Sequence, residues 1–461
     1  MSFITRRKPL ELAAPGGGSH LKATLGWPHL IALGVGAIIG TGIYTLTGVA
    51  AGLAGPAVIL SFAVAGAVCA GAALCYAEMA SLTPQAGSAY TYSYVTLGEG
   101  LAWIVGVSLI MEYTLVCSAV SVGWSGYASG LLRGWGAPEA ILNGGAVDVP
   151  AIFIALTVTG VLLLGTRESA TINFILVCVK LLALAAFVAF TIPHFDAANF
   201  QPFAPFGYGA HDIDGTKYGV MGAAAIIFFA FYGFDAISTA AEEAKNPKRD
   251  LTIGIVGSMV LCTLIYMVIA AAALGVVPYE PFSKSDEPLA FALKQLGQPE
   301  AARLIAGAAV VAMPTVIMVF MFGQSRVFFA MARDGLLPAG LAKVDRRGVP
   351  TAVTLMTGAI AALFAGLVPL DEIASLANAG TLAAFIAVAF AVMVLRRRSP
   401  DLPRPFVTPF VWIVAPLTIA GCAYLFSSLQ TQTMLFFLGA NVIGVVVYLL
   451  YGRSRSRLAQ G

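Results

Sequence analysis

Long apolar runs, broken by short polar stretches, follow one another from about residue 28 to residue 451. A membrane helix needs about 20 predominantly apolar residues, and the hydrocarbon layer admits only helices or closed barrels. These runs are too long for the alternating ten-residue segments of a barrel, so the pattern predicts about twelve membrane helices. They fall near 28–53, 56–80, 101–131, 149–165, 171–193, 218–241, 251–277, 302–331, 351–369, 373–395, 407–428 and 432–451. Residues 284–300 read as a short amphipathic helix in a loop. The expected class is an all-α membrane protein, with a single transmembrane domain over 26–451, a tail at 1–25 and a basic tail at 452–461.

Composition narrows the function. The chain of 461 residues is 59% hydrophobic and only 11% charged, against about 25% charged in soluble domains. That excludes a cytosolic enzyme, a nucleic-acid-binding protein and a secreted disulfide scaffold. All six cysteines lie in apolar runs without a Cys-x-x-Cys spacing, which argues against disulfides and a zinc site. The four histidines have no metal-ligand spacing and no Walker A sequence is present, so no metal, no cofactor and no ATP hydrolysis are expected. Polar, Gly-rich residues 5–24 separate Met1 from the first apolar run, unlike a cleavable signal peptide. With both termini placed inside, Arg133, Lys217, Lys284, Lys294 and Arg303 fall outside, Lys180 falls within a span, and the other twenty of the 26 basic residues fall inside. Such an excess orients membrane proteins and fits an even span count.

Two spans look broken. The first contains GVGAIIGTGIY (34–44), where Gly34, Gly36, Gly40 and Gly42 each weaken a helix by roughly 1 kcal/mol relative to Ala. Close helix packing through small residues explains such a cluster; so does an unwound segment that frees backbone groups for a ligand. The sixth contains FFAFYGFD (228–235), with Gly233 and a carboxylate, Asp235, inside an apolar run. The two spans run in opposite directions with five spans between equivalent points. This pattern predicts an inverted five-plus-five repeat, about 28–193 and 218–395, with two extra helices over 407–451. Free N–H groups at the start of a half-helix suit a carboxylate, and free carbonyls in the other break suit an ammonium. A site with both recognises the head group of an α-amino acid.

GVGAIIGTGIY, PQAGSAYTYSYVTLGE (84–99), FYGFDAISTAAEEAKNPKRD (231–250) and GQSRVFFAMARDGLLP (323–338) resemble the cationic amino acid transporter group of the amino acid–polyamine–organocation superfamily. The resemblance runs from about Gly26 to Arg404. With two helices fewer than the mammalian members, the chain is closer to the shorter bacterial transporters. The resemblance implies a LeuT-type fold and alternating access. It also implies that Ile38 offers a carbonyl to the substrate amine, and that Gly40, Thr41 and Gly42 hold the carboxylate. On the sixth helix, the carbonyls of Phe229, Ala230 and Tyr232 would complete the amine site, with the Phe229 ring closing over the substrate on its outward side.

Three ionisable residues lie inside apolar spans, each at a cost of at least about 2.5–3.5 kcal/mol. Lys180 on the fifth span either snorkels to the inner interface or carries a coupling proton. In proton-coupled relatives a lysine on this helix fills the space of a sodium ion, and Lys180 matches that position. Glu112 on the third span could shape the cargo pocket, take part in proton movement, or bond a neighbouring helix. Asp235 could act directly or cap the half-helix that follows the break.

The expectation is a secondary transporter of neutral or cationic L-amino acids in the plasma membrane, coupled to protons and surrounded by lipid. A small membrane subunit as partner leaves no trace in the sequence. An amino acid or polyamine exchanger without net proton movement is the alternative. A light-driven pump or receptor with Lys180 as a Schiff base, and an ion channel, fit the opposed broken helices less well.

Overall fold

The computed structural model describes residues 6–9, 21–40, 42–134, 136, 138, 142, 147–213, 216–285, 287–368, 370–427, 429 and 431–460. The chain is mostly helical. Its first half holds α1 (Trp27–Ile38), α2 (Thr47–Ala54), α3 (Val58–Leu82), α4 (Ala89–Thr96), α5 (Glu99–Gly134), α6 (Val149–Leu163) and α7 (Thr166–Thr191). The second half holds α8 (Val220–Ile227), α9 (Pro247–Leu274), α10 (Tyr279–Ser283), α11 (Pro288–Gln295), α12 (Pro299–Arg333), α13 (Thr351–Leu367), α14 (Leu370–Arg398), α15 (Val411–Ser427) and α16 (Thr431–Val447). Among the described residues, eight helical runs are long and apolar enough to cross a membrane, and α1, α6, α13 and α15 are shorter apolar helices.

Burial is the reverse of a water-soluble protein's. Leu182, Leu304, Leu417 and Leu450 stand largely exposed on the outer surface, whereas Glu112, Lys180, Asp235 and Arg326 are buried. A lipid surround rewards this arrangement, because polar groups find partners only inside the bundle. Helix α1 packs along α9 and also meets α7 and α12, while α5 packs along α12 and α14. The two broken spans therefore meet at the centre of the bundle. At its edge, Glu78 of α3 accepts two hydrogen bonds from Arg396 (both 2.8 Å) and one from the Thr408 backbone (2.8 Å). Arg404 approaches the same carboxylate to 3.2 Å.

Three features correct the sequence reading. An antiparallel two-stranded ribbon, β1 (His211–Ile213) and β2 (Thr216–Tyr218), interrupts the all-α expectation. The Asp-Gly pair at 214–215 is the hairpin signal that the search for apolar runs passes over. Helix α4 is a separate buried element that was absent from the twelve runs, because its tyrosines and hydroxyl residues make a poor apolar run. The amphipathic segment near 284–300 is α11 alone, and α12 already starts at Pro299.

Both described ends of the chain rest on one face. The Glu99 N–H donates to the Arg6 carbonyl (2.8 Å) and the Lys8 N–H to that of Tyr94 (3.2 Å). Lys8 Nζ also donates to Asp334 (2.7 Å) and Gln85 (2.9 Å). From the other end, Ser456 donates to Glu99 (2.6 Å), which also accepts from Tyr94 and Tyr448.

Candidate functional site

Both breaks are real departures from helical backbone. After α1 the chain turns extended at Ile39 (φ −79°, ψ 97°) and resumes as a π turn over Gly42–Leu46 before α2. Thr41 lies outside the described residues. After α8 a 3₁₀ turn covers Phe228–Phe231, Tyr232 is extended (φ −63°, ψ 150°), and a second 3₁₀ helix runs over Asp235–Glu243. Gly233 has φ +112°, a conformation in which a side chain is strained. A Cβ there would also stand 2.4 Å from that of Ala37, at the end of α1. Gly42 mirrors this arrangement, since a Cβ on it would stand 2.5 Å from that of Ala230. Each break is thus packed onto the other through a glycine, and the two unwound segments are held in contact.

The carbonyls freed by these breaks have specific partners. Tyr266 Oη, from α9, donates to the Ile38 carbonyl at 2.6 Å and lies 3.0 Å from that of Ala230. One hydroxyl thereby bridges the two breaks. Lys180 does not snorkel: it is fully buried, and its Nζ donates to the carbonyls of Ile39 (2.6 Å) and Gly36 (3.2 Å) and to the Thr315 hydroxyl (2.6 Å). Its cation thus sits behind the end of α1, in a cage of oxygens from α1 and α12.

A narrow cavity of about 20 Å³ lies between the breaks, lined by Ile38, Gly40, Gly42, Phe229, Ala230 and Tyr232. The remaining walls are apolar: Ala37, Val116, Val120, Val316 and Phe320. Phe229 and Tyr232 also line a larger cavity, which reaches Lys217 and Leu429. The Phe229 ring therefore stands between the two spaces. Lys180, Glu112 and Asp235 are not among the residues lining the small cavity. Asp235 accepts a hydrogen bond from Tyr113 Oη (2.6 Å), and Glu112, the residue before Tyr113, packs against the backbone of Gly380 on α14.

Toward the face that carries the termini, the space beyond the cavity is closed by two consecutive glutamates. Glu243 accepts from Arg326 Nη2 (2.7 Å) and Thr166 Oγ1 (2.6 Å), and this ion pair is almost wholly buried. Glu242 accepts two hydrogen bonds from Arg333 (2.6 and 2.8 Å) and one from the Ala86 N–H (3.0 Å). Both arginines belong to α12. The backbone carbonyl of Glu243 also accepts the N–H groups of Thr24 and Leu25, just ahead of α1 (both 2.9 Å).

Residues 25–451 match the family model described as amino acid permease. The chain belongs to the amino acid permease family. It is 44% identical to the branched-chain amino acid permease BcaP of Bacillus subtilis (strain 168), over 99% of each protein. It is 41% identical to the methylthioribose transporter of the same organism, over 99% of this chain and 100% of the relative. It is also 38% identical to the vacuolar cationic amino acid transporter 2 of Arabidopsis thaliana, over 86% of this chain and 64% of the relative. Membership of this permease family, within the amino acid–polyamine–organocation superfamily, agrees with the motif resemblance and makes the chain a multi-pass membrane protein whose substrate is an amino acid.

Among residues that sequence reasoning passed over, Tyr266 stands out, since it sits in an ordinary apolar run. Thr315, which bonds Lys180 and the Gly36 carbonyl, is likewise one hydroxyl within an apolar run. The Glu243–Arg326 pair joins two residues 83 positions apart that only the fold brings together.

Proposed function

We propose that this permease is a proton-coupled carrier of L-amino acids with apolar, branched side chains, working by alternating access in a bacterial plasma membrane. In this reading the domain spans 26–451 and crosses twelve times. Repeats over 28–193 and 218–395 are inverted, the extra helices cover 407–451, and the tails at 1–25 and 452–461 are both cytoplasmic. The observation that carries it is the crossed packing of the two breaks around one apolar cavity, with a buried lysine directly behind.

The cargo's carboxylate meets the N–H groups and hydroxyl of Gly40, Thr41 and Gly42, at the positive end of the resumed helix. Its ammonium takes the free lone pairs of Ile38, Phe229, Ala230 and Tyr232; a carbonyl oxygen accepts two hydrogen bonds, so the Tyr266 hydroxyl leaves room. Its side chain meets Val116, Val120, Val316 and Phe320. No charge lines this wall, which favours a neutral cargo over a cationic one, and the name of the BcaP relative points the same way. Phe229 closes the outer side, while the Glu243–Arg326 and Glu242–Arg333 pairs close the inner side.

Lys180 supplies the coupling. Protonated, it fixes the end of α1 through Gly36 and Ile39 and so shapes the cargo site. When α1 withdraws, the ammonium loses those oxygens while its other surroundings stay apolar, and the first water to reach it takes the proton. Asp235 ties the sixth span to α5 through the Tyr113 hydroxyl, and Glu112 is buried next to that contact against α14.

The test is uptake of labelled leucine, alanine and arginine into proteoliposomes under an inward proton gradient, with methylthioribose as competitor. Wild type and Lys180→Ala are compared, with and without an uncoupler. Leucine uptake that needs the gradient, and is lost in Lys180→Ala while leucine binding persists, is the expected result. Uptake that ignores the gradient but rises with amino acid preloaded inside would identify an exchanger and overturn the proton mechanism.

A further inference from the structure

The face of α7 turned toward α1 carries polar residues at a regular interval: Thr166, Asn173 and Lys180, seven residues apart and all buried. Two helical turns separate each from the next, so the three lie nearly in line along about 21 Å of helix. Lys180 bonds α1 and α12, and Thr166 bonds Glu243. Asn173 sits between them. Its Nδ2 donates to the Ala32 carbonyl of α1 (3.1 Å), while its Oδ1, fully buried, has no hydrogen-bond partner.

That orphan oxygen and the lysine both approach the same residue of α1, Gly36. A Cβ added to Gly36 would stand 2.8 Å from Asn173 Oδ1, and the carbonyl of the same Gly36 is 3.2 Å from Lys180 Nζ. Between the amide and the ammonium stand the Gly36 peptide and the Val177 side chain, whose Cγ2 would lie 3.3 Å from the same added Cβ. Helix side chains lean toward the N-terminus, so the long Lys180 stem reaches down toward Asn173. A buried carbonyl without a donor carries a desolvation cost. A donor in another conformation of the same protein would offset that cost.

We propose that Asn173 is the positioning residue for proton release on the inner side: its Oδ1 accepts a hydrogen bond from the water that takes the proton of Lys180. This rests on the coupling role of Lys180 given above. As the first half of α1 withdraws, the Gly36 and Ile39 carbonyls leave the ammonium and the Gly36 peptide leaves the gap. Water enters from the inner face and bridges Nζ to Oδ1. One Nζ–H bond breaks, its proton passes to the water oxygen, and the hydronium leaves past Thr166. Lys180 stays behind neutral, with a lone pair that is protonated from the outer side in the next cycle. The titratable groups facing this path are Cys262 and Tyr266 on α9, His29 on α1, and Glu243 with Arg326 at the exit, α12 otherwise offering only the Thr315 hydroxyl to Lys180.

Asn173→Thr and Asn173→Val have the same shape and differ in one oxygen, so a folding fault would affect both. Each full-length variant is reconstituted, and leucine counterflow, which needs no net proton movement, is measured beside leucine-driven proton entry reported by an internal pH dye. We expect counterflow within about twofold of wild type in both. Proton entry per leucine falls at least tenfold in Asn173→Val and less than threefold in Asn173→Thr, and the dependence of uptake on internal pH shifts only in the valine variant. Equal proton entry in the two variants, at any level, overturns the role of Asn173 while leaving Lys180 coupling intact. A wild-type protein that moves leucine without protons overturns the coupling reading itself, and this one with it.

Discussion

Replacing Arg326 by leucine strands the Glu243 carboxylate. In the closed-inner conformation that carboxylate is fully buried, 2.7 Å from Arg326 Nη2, and would be left with the Thr166 hydroxyl as its side-chain partner. Removing one partner of a buried pair costs about 3–5 kcal/mol, because the remaining charge stays desolvated. In the proposed alternating-access cycle, water reaches Glu243 when the inner side opens and most of that cost disappears. The penalty therefore falls on the closed-inner state and shifts the equilibrium toward inner opening by a factor of roughly 140 to 3,700, at 1.4 kcal/mol for each factor of ten. A cysteine at Ala240, fully buried on the 3₁₀ helix, in a background without the native cysteines, reads this directly. Its labelling by a membrane-impermeant reagent from the side of the termini should accelerate at least a hundredfold in Arg326→Leu. In the double variant Arg326→Leu with Glu243→Gln no charge is stranded, and labelling should fall back most of the way to wild type. If single and double variants label alike, buried charge does not hold the inner side closed and the reasoning fails.

Further expectations follow from other contacts. Gly42→Ala places a Cβ 2.5 Å from that of Ala230 and 2.8 Å from its Cα, well inside the 3.5–4.0 Å of good carbon contacts. Leucine binding by isothermal titration should be lost, and Ala230→Gly added to it should restore part; full binding by Gly42→Ala alone would refute the crossed packing. Phe229→Ala should weaken leucine affinity by roughly tenfold or more, from the 1.5–3 kcal/mol of a buried ring, and let preloaded leucine leak outward from liposomes. Unchanged efflux would remove Phe229 from the outer closure. Glu78→Ala leaves Arg396 and Arg404 without their shared carboxylate and should lower the melting temperature in detergent far more than a Glu300→Ala control, whose pair with Arg303 is exposed.

The parts of the site that the sequence made visible are those that break a strong local rule. Glycines clustered in an apolar helix, and single charges at membrane depth, are costly enough to stand out, which is why the segment around Gly42, the FYGFD stretch and Lys180 were readable. Tyr266 breaks no rule: a tyrosine among apolar neighbours is ordinary, and only the fold brings its hydroxyl to the Ile38 and Ala230 carbonyls. Asn173 hid for the same reason, its meaning lying in the oxygen it leaves without a partner. The second half of the sixth span reads as a resumed half-helix after the break, yet it is wound as a 3₁₀ helix over Asp235–Glu243. Its successive residues diverge by about 120°, so two adjacent glutamates can serve two different arginines. The β ribbon and α4 were missed because both occupy polar connections, where apolar periodicity carries no information.

The strap formed by the chain ends bears on how the protein is made. Lys8 leaves the ribosome 326 residues before Asp334, an interval of about 15 s to a minute at 5–20 residues per second. Over most of that time its ammonium has Gln85 alone of its two side-chain partners, and Glu99 awaits the Ser456 hydroxyl longer still. Docking of the two tails is thus among the last events of assembly and occurs only after α12 and α16 have entered the membrane. A chain stalled or truncated ahead of α16 leaves Glu99 without Tyr448 and Ser456, and so presents quality-control proteases with an unfinished face that the completed permease conceals.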